Sequence, residues 1–434
     1  MTVAARPLAD GSGLAARYGA LGLPLAFASL PLYVHVPAFY ASVAGMSLTT
    51  IGLVLLCIRM MDMVVDPLVG SISDRYQGSR KFIMGASVPL LAIGYFALFS
   101  PPAGMDQGTK ILWLAGSLIA VYAAYSALTI NHYAMGVALA NTPHQNTILA
   151  TWREGAMLIG VLLASLLPPV LTRIIGIGDA YRVLAMVLSV LLLLGALTTL
   201  TIREPRSESS GRRAFPFAVL RTLNLRWALA VTFLNAFPIA ITSTLFVFFV
   251  SDVLQAESHI GAFLAIYFAS AVIGMPLWSR LAQTRGKTTS ILISIPMAVV
   301  VFAFAAFLGP GDIGAFYMVC ILSGITLGAD TVLLPSLFAD QLHDTPGESG
   351  AAFGWWHFLN KASLALAAGI ALPLLEIAGY APGPNNSPAS LGILAAGYAL
   401  VPCACKAIAA VVLYIGPLHG QRDKSTSMQP TTVS

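Results

Sequence analysis

The sequence predicts an all-α membrane protein of twelve transmembrane helices in two six-helix bundles, and three observations carry that reading. Of its 434 residues, 57% are hydrophobic and 9% charged, with a mean hydropathy of +0.82; a soluble domain carries about a quarter charged residues. Apolar stretches long enough for a membrane helix of about 20 residues recur along the whole chain. Basic residues crowd into alternate connections between them.

The spans are expected at 17–41, 47–72, 82–101, 110–140, 148–172, 180–202, 227–252, 259–281, 288–308, 313–341, 350–378 and 389–416. Residues 1–202 then form an N-terminal bundle and 227–416 a C-terminal one. Between them, 203–226 carries six arginines and reads as a cytoplasmic connector, while 417–434 reads as a disordered cytoplasmic tail. The first 14 residues are polar and small and the first apolar run is a full span, so no cleavable signal peptide is expected. Sixteen of the 23 Lys and Arg fall on the N-terminus, the connections 2–3, 6–7 and 8–9, and the tail. Only Lys110, Arg173 and Arg182 lie on the opposite side, which places both termini in the cytoplasm. The basic balance therefore follows topology and implies no nucleic-acid partner. Cys57, Cys320, Cys403 and Cys405 all sit in apolar stretches and read as small core residues, with no metal set among them.

In a chain this apolar, the few charges inside spans are informative. Span 2 holds Arg59, Asp62 and Asp66, spaced i, i+3, i+7 and so on one helix face, followed by Pro67. A carboxylate at membrane depth costs several kcal/mol unless it faces protein, water or a bound cation. Arg59 can offset one of the two, which leaves an acidic site. Mutual repulsion in dry surroundings then favours proton uptake near neutrality, or binding of a small cation such as Na⁺. Span 5 brings Arg153 and Glu154, span 10 Asp330, span 11 Lys361 and span 12 Lys406, with His35, His132 and His357 as further titratable groups. Arg153 and Glu154 also fit an interfacial pair, His35 and His132 satisfied core histidines, and Lys406 a snorkelling or paired lysine. Asp330 has no charged neighbour within a turn of its own helix and is a candidate for charge balance or function.

The connection after span 2 runs Gly70-Ser-Ile-Ser-Asp74-Arg75-Tyr-Gln-Gly78-Ser-Arg80-Lys81, and the one after span 8 ends Arg285-Gly286-Lys287. The first resembles the G-x-x-x-D-R-x-G-R-(R/K) loop of the major facilitator superfamily. That resemblance implies a gating role for Asp74, Arg75, Gly78 and Arg80 and a substrate site between the halves near the midplane.

The chain more closely resembles the glycoside–pentoside–hexuronide:cation symporters. Arg59, Asp62, Asp66 and Pro67 match that family's R-x-x-D-x-x-x-D-P motif, whose aspartates take Na⁺, Li⁺ or H⁺. Tyr125 and Ser126 stand where the family has an aromatic residue and a hydroxyl, the latter contributing to the cation site. Arg153 aligns with its substrate-contacting arginine and Lys361 with the lysine close to both sites; Phe338-Ala339-Asp340 resembles the A-D before connection 10–11. Departures are equally specific. The two sugar-binding aspartates align with Pro24 and Thr129, and the amide before the second span 2 aspartate is Val65. Loss of the sugar carboxylates weakens a galactoside grip, and loss of the amide favours H⁺ over Na⁺.

His357 and Lys361 share one face of span 11 at i, i+4, beside Trp356. With Arg153, and with Tyr125 and Thr129 from span 4, they imply a cationic, partly aromatic substrate lining. The expected function is secondary active transport: an H⁺- or Na⁺-coupled symporter of a small organic solute, anionic or a glycoside, working by alternating access. It is expected to act as a multi-pass monomer in a cell membrane, a bacterial inner membrane by this reading, with sugar transport as the family's theme. The alternatives are a lipid or lysolipid transporter of the same fold and a non-transporting receptor or scaffold. The sequence shows no G-x-S-x-G, no H-E-x-x-H and no Cys/His cluster, so it carries no enzyme motif and calls for no cofactor beyond the coupling ion.

Overall fold

In the computed structural model the described residues are 11–76, 79–203, 217–342, 348–380, 383 and 386–417. Gly78, much of the connector and nearly all of the expected tail lie outside them. Thirteen α-helices follow in order: α1 (Gly11–Gly19), α2 (Gly22–Ser42), α3 (Leu48–Arg75), α4 (Arg80–Leu98), α5 (Gln107–Leu139), α6 (Pro143–Ile175), α7 (Ile177–Leu200), α8 (Leu223–Phe248), α9 (Ile260–Arg285), α10 (Lys287–Phe304), α11 (Ile313–Asp340), α12 (Ser349–Ile377) and α13 (Pro388–Ile415). Among the described residues, ten helices are long and apolar enough to cross a membrane. α2 and α3, of 21 and 28 residues, are the other long helices. This is a multi-pass membrane protein.

One expected span is divided. The stretch 17–41 breaks at Ala20 and Leu21, separating the short α1 from α2. The break accompanies close packing on α6: a Cβ on Gly19 would lie 2.7 Å from the backbone carbonyl of Trp152, and one on Gly22 2.7 Å from that of Arg153. Only residues without a side chain allow two backbones to meet there.

The chain divides into two compact units. The first comprises Met1–Ile58, Arg80–Asn141 and Gln145–Arg206; the second comprises Arg59–Ser79, Thr142–His144 and Ser207–Ser434. The first unit is centred on aromatic packing in which Phe99 stacks on Tyr181 at 5.0 Å and Phe39 meets both rings edge-on at 5.3 Å. The Tyr40 hydroxyl, buried there, donates to the carbonyl of Leu98 at 2.8 Å, so no polar atom is stranded at its tip. In the second unit Phe249 stacks on Tyr398 at 4.2 Å and Phe263 meets Phe316 edge-on at 4.8 Å. α11 lies tightly against α9 because Gly274 and Gly328 leave room: a Cβ on either would come 2.6–2.7 Å from a carbonyl of the facing helix. That crossing fixes the depth and direction of Asp330. α9 passes to α10 through Gly286 alone, at φ 83°, a conformation glycine adopts without the cost a side chain imposes. Of the cysteines, Cys320 and Cys403 are buried as expected, whereas Cys57 is exposed on the outward face of α3, where an apolar thiol faces lipid without penalty.

Candidate functional site: a lysine between two buried carboxylates

α3 sorts its residues by face. Leu53, Leu56, Met60, Val64, Leu68 and Ile72 are exposed and recur every three or four positions, as a lipid-facing stripe does. On the opposite stripe lie Ile58, Asp62, Asp66 and Asp74, all buried, with Gly70 between the last two. The sequence thus directs both span 2 carboxylates inward. Asp66 is 0% exposed and Asp62 6%.

Their positive partner comes from α12. Lys361 Nζ lies 2.6 Å from Asp62 Oδ2 and 2.8 Å from Asp66 Oδ2, and its side chain is 20% exposed. One ammonium is therefore seated between two carboxylates, an oxygen-lined position of the kind a small cation occupies. The pairing spans 299 residues of sequence. Arg59, expected to offset one carboxylate from within the helix, is half-buried one turn away.

Glycines make this geometry possible. A Cβ on Gly354 would lie 2.6 Å from the carbonyl oxygen of Asp66, and one on Gly70 would overlap the backbone of Gly350. The two helices meet backbone to backbone just where the carboxylates sit. Further along, both carboxylate oxygens of Asp74 accept from the start of α12: Oδ1 from Gly350 N–H and Oδ2 from Ala351 N–H, each at 2.7 Å. Glu348, the residue before α12, makes no side-chain cap. Asp74 therefore caps a helix 276 residues away, satisfying two first-turn donors and placing negative charge at the positive end of the helix dipole. Neighbouring Arg75 is exposed, its guanidinium 5.6 Å from the centre of the Tyr76 ring, and Arg80 is buried at the first residue of α4.

The remaining expected site residues fall in several settings. On α5, Ser126 and Thr129 are buried and Tyr125 is half-buried, the Thr129 hydroxyl donating to the Tyr125 carbonyl at 2.8 Å. Arg153 is buried in a network of the first unit. Its Nε and a terminal nitrogen reach Glu154 Oε1 at 2.9 Å, another donates to the Tyr18 hydroxyl at 3.1 Å, and the guanidinium lies 3.5 Å above the Tyr133 ring. Tyr133 also donates to Glu154 at 2.9 Å, and His132 Nε2 donates to the Tyr18 carbonyl at 2.8 Å. The guanidinium is well supplied with partners before any ligand arrives. Trp356 is buried against Phe338 and Phe353, with ring centres 5.0 and 6.3 Å apart, and His357 is half-buried one turn before Lys361. Asp330 pairs with Lys406 of α13, whose ammonium also reaches Asn235 Oδ1 at 2.9 Å. Asn235 and the role of Asp74 as a cap emerge only in the structure. The signal for Asn235 was an amide inside an apolar run; the capping partner of Asp74 carried none.

Residues 17–420 match the family described as MFS/sugar transport protein. The chain belongs to that family. This transporter is thus of the major facilitator class and similar to the glycoside–pentoside–hexuronide:cation symporters, in keeping with its span 2 motif, and it is not an enzyme. It is 24% identical to the inner membrane symporter YicJ of Escherichia coli (strain K12), over 86% of this chain and 85% of that protein. It is 22% identical to the sodium-dependent lysophosphatidylcholine symporter 1 of Xenopus tropicalis, over 80% of this chain and 74% of that protein. Among solved structures, a bacterial homologue of the iron transporter ferroportin in an outward-facing state superimposes with a TM-score of 0.69 at 16% identity, covering 92% of this chain and 98% of the other. At that identity the likeness establishes the fold.

Proposed function

We propose that this transporter is a cation-coupled symporter of a small organic solute, with H⁺ or Na⁺ binding at Asp62 and Asp66. The observation that supports the site is the ammonium of Lys361 held between two inward-facing carboxylates. Two carboxylates face the Lys361 ammonium and, one turn away, Arg59, so the group is balanced with the ammonium seated and stays balanced when a single proton or Na⁺ takes the ammonium's place. Burial makes the uncompensated state costly and the neutral state cheap. Alternating access is then coupled to ion occupancy, because the moving helices carry this charge through apolar surroundings only when it is balanced. Ser126 would add a hydroxyl ligand in the occluded state. Arg59 and Asp330 serve charge balance.

A cation that takes over the carboxylates also releases Lys361. Its ammonium, one turn from His357, then turns to an anionic group on the solute. Tyr125, Thr129, Arg153 and Trp356 complete the proposed substrate surface, with Arg153 and Trp356 acting in part through the partners that hold them. Pro24 and Thr129 in place of carboxylates support an anionic or amphipathic solute over a neutral galactoside. The Asp74 cap on α12 is proposed as the gating element, and the sequence motif supports adding Arg75, Gly78 and Arg80 to that role. The distribution of basic residues supports cytoplasmic termini, and likeness to the inner membrane symporter YicJ supports a bacterial inner membrane; the chain would act as a monomer.

The likeness to a sodium-dependent lysophosphatidylcholine symporter favours a second reading, in which the solute is a lysolipid. A thermal-shift screen of the purified protein against sugars, uronates, organic acids and lysolipids, with and without Na⁺ and at two pH values, separates the readings. Stabilisation grows with ligand concentration over affinity, so weak binders register. The main reading expects an anionic sugar or organic acid to stabilise only with Na⁺ or at acid pH; a response confined to lysolipids would replace it.

A further inference from the structure

Arg153 and Glu154 are neighbours on α6, and consecutive residues of a helix do not face each other. They meet because α1 and α5 draw both side chains to one side. Tyr18 of α1 is 0% exposed and sits against Gly136, where a Cβ would overlap its hydroxyl; that hydroxyl accepts from the guanidinium at 3.1 Å. Tyr133 of α5 holds its ring centre 3.5 Å from the guanidinium carbon and donates its hydroxyl to Glu154 Oε1 at 2.9 Å.

The pairing is lopsided. Oε1 of Glu154 faces Nε and a terminal nitrogen of Arg153, each at 2.9 Å, as well as the Tyr133 hydroxyl. Oε2 receives no hydrogen bond among the described residues, although Glu154 is 9% exposed. A carboxylate oxygen so placed is costly to leave without a donor. Arg153 shows the matching surplus. A guanidinium carries five N–H groups. The contacts to Glu154 and Tyr18 occupy three of them and leave one on each terminal nitrogen. The two side chains keep 5% and 11% exposure, so the pair is nearly dry but not sealed.

These adjoining side chains therefore offer one strong acceptor and two donors, with no net charge between them. An apolar group would leave all three unmet, and an anionic group would meet the donors but repel Oε2. Two hydroxyls on adjacent carbons satisfy both, one donating to the carboxylate and the other accepting from the guanidinium.

We propose that Glu154 is a specificity-determining residue of this transporter, its Oε2 binding adjacent hydroxyls of the solute together with the two remaining N–H groups of Arg153. The assignment rests on the reading of Arg153 as a substrate contact and adds the residue that decides which group is accepted there. Pro24 and Thr129 stand where carboxylates would grip sugar hydroxyls, and α6 supplies a carboxylate in their stead.

The test compares glucuronate with cyclohexanecarboxylate, a six-membered ring bearing one carboxylate and no hydroxyls. Thermal unfolding of the purified full chain over a concentration series of each probe gives the two apparent affinities. Wild type is expected to prefer glucuronate by about tenfold or more. In Glu154→Gln the amide oxygen stays with the donors at Oε1, and the NH₂ replaces the acceptor at Oε2. Its response to glucuronate is expected to fall to the level of cyclohexanecarboxylate, with the latter not reduced. An equal loss for both probes would mark Glu154 as a structural support of Arg153 and overturn the proposal. So would a Glu154→Gln that keeps the wild-type preference, or a wild type that responds to neither probe or favours cyclohexanecarboxylate. Should Glu154→Gln not fold, Glu154→Asp decides, because it keeps the charge beside Arg153 and withdraws the oxygens by one methylene; an unchanged preference there overturns the proposal. A hydroxyl preference indifferent to Na⁺ and pH would count against cation coupling and leave this assignment standing, so the two fail separately.

Discussion

Lys361 of α12 and Asp66 of α3 lie 2.8 Å apart, and the carboxylate of the pair has no exposed surface. Replacing Lys361 by Met leaves Asp62 and Asp66 buried without that ammonium. Breaking a buried pair from one side costs about 3–5 kcal/mol. The loss should be recovered by whatever replaces the missing charge. Thermal unfolding of Lys361→Met is expected to fall well below wild type at neutral pH in choline chloride and to climb back with Na⁺ or on mild acidification. A variant indifferent to both would detach Lys361 from the cation site.

The glycine contact between α3 and α12 gives a steric prediction. Gly354→Val places a Cβ 2.6 Å from the carbonyl oxygen of Asp66, so the helices must part, at about 1–3 kcal/mol or more. Gly116→Ala, on α5 where a Cβ meets nothing within 4 Å, is expected to be neutral or stabilising by up to about 1 kcal/mol. The melting temperature of Gly354→Val should therefore fall while that of Gly116→Ala holds or rises.

The capping role of Asp74 ranks its variants. Asp74→Asn keeps an acceptor for the first turn of α12 but loses the charge; Asp74→Ala loses both. The cap is worth about 0.5–2 kcal/mol. Stability is expected to fall in the order wild type, Asn, Ala, and equal losses for the two variants would show that charge alone matters.

These relationships mark where the sequence was legible. Charges inside apolar runs stand out by residue type, so Asp62, Asp66, Asp330, Lys361 and Lys406 are all conspicuous in the sequence itself. Among the described residues, ten of the long helices were likewise written in their hydropathy. Partnerships were not legible: Lys361 with Asp62, Lys406 with Asp330, and Asp74 with Gly350 join residues 76 to 299 positions apart, and nothing local encodes them. Nor does residue type reveal how a large side chain is used. Trp356 packs on Phe338, and Arg153 is ringed by Glu154, Tyr18 and Tyr133. The break between α1 and α2 has no local signal either: it lies where Gly19 and Gly22 meet the backbone of α6, more than a hundred residues away along the chain.

Outside the membrane-spanning helices, Tyr380 gives a pH prediction. Burial, followed by its hydrogen bond to Asp252, pushes the phenol above its ordinary value of 10.0. A phenol whose folded state holds the proton more tightly stabilises the fold fully below the unfolded value, and that contribution fades as pH rises beyond it. The stability gap between wild type and Tyr380→Phe is expected to stay constant from about pH 7 to pH 9 and to narrow above about pH 10. A gap that widens with rising pH would contradict the contact.

Gradient-driven uptake in liposomes tests the coupling site most directly. Purified wild type and Asp66→Asn, matched for folded protein by thermal unfolding, are reconstituted, given the solute found in the binding screen on the outside, and driven by an imposed Na⁺ or H⁺ gradient. The expected result is uptake by wild type that follows the gradient and falls to background in Asp66→Asn. Undiminished gradient-driven uptake by Asp66→Asn would contradict the assignment of the cation to Asp62 and Asp66.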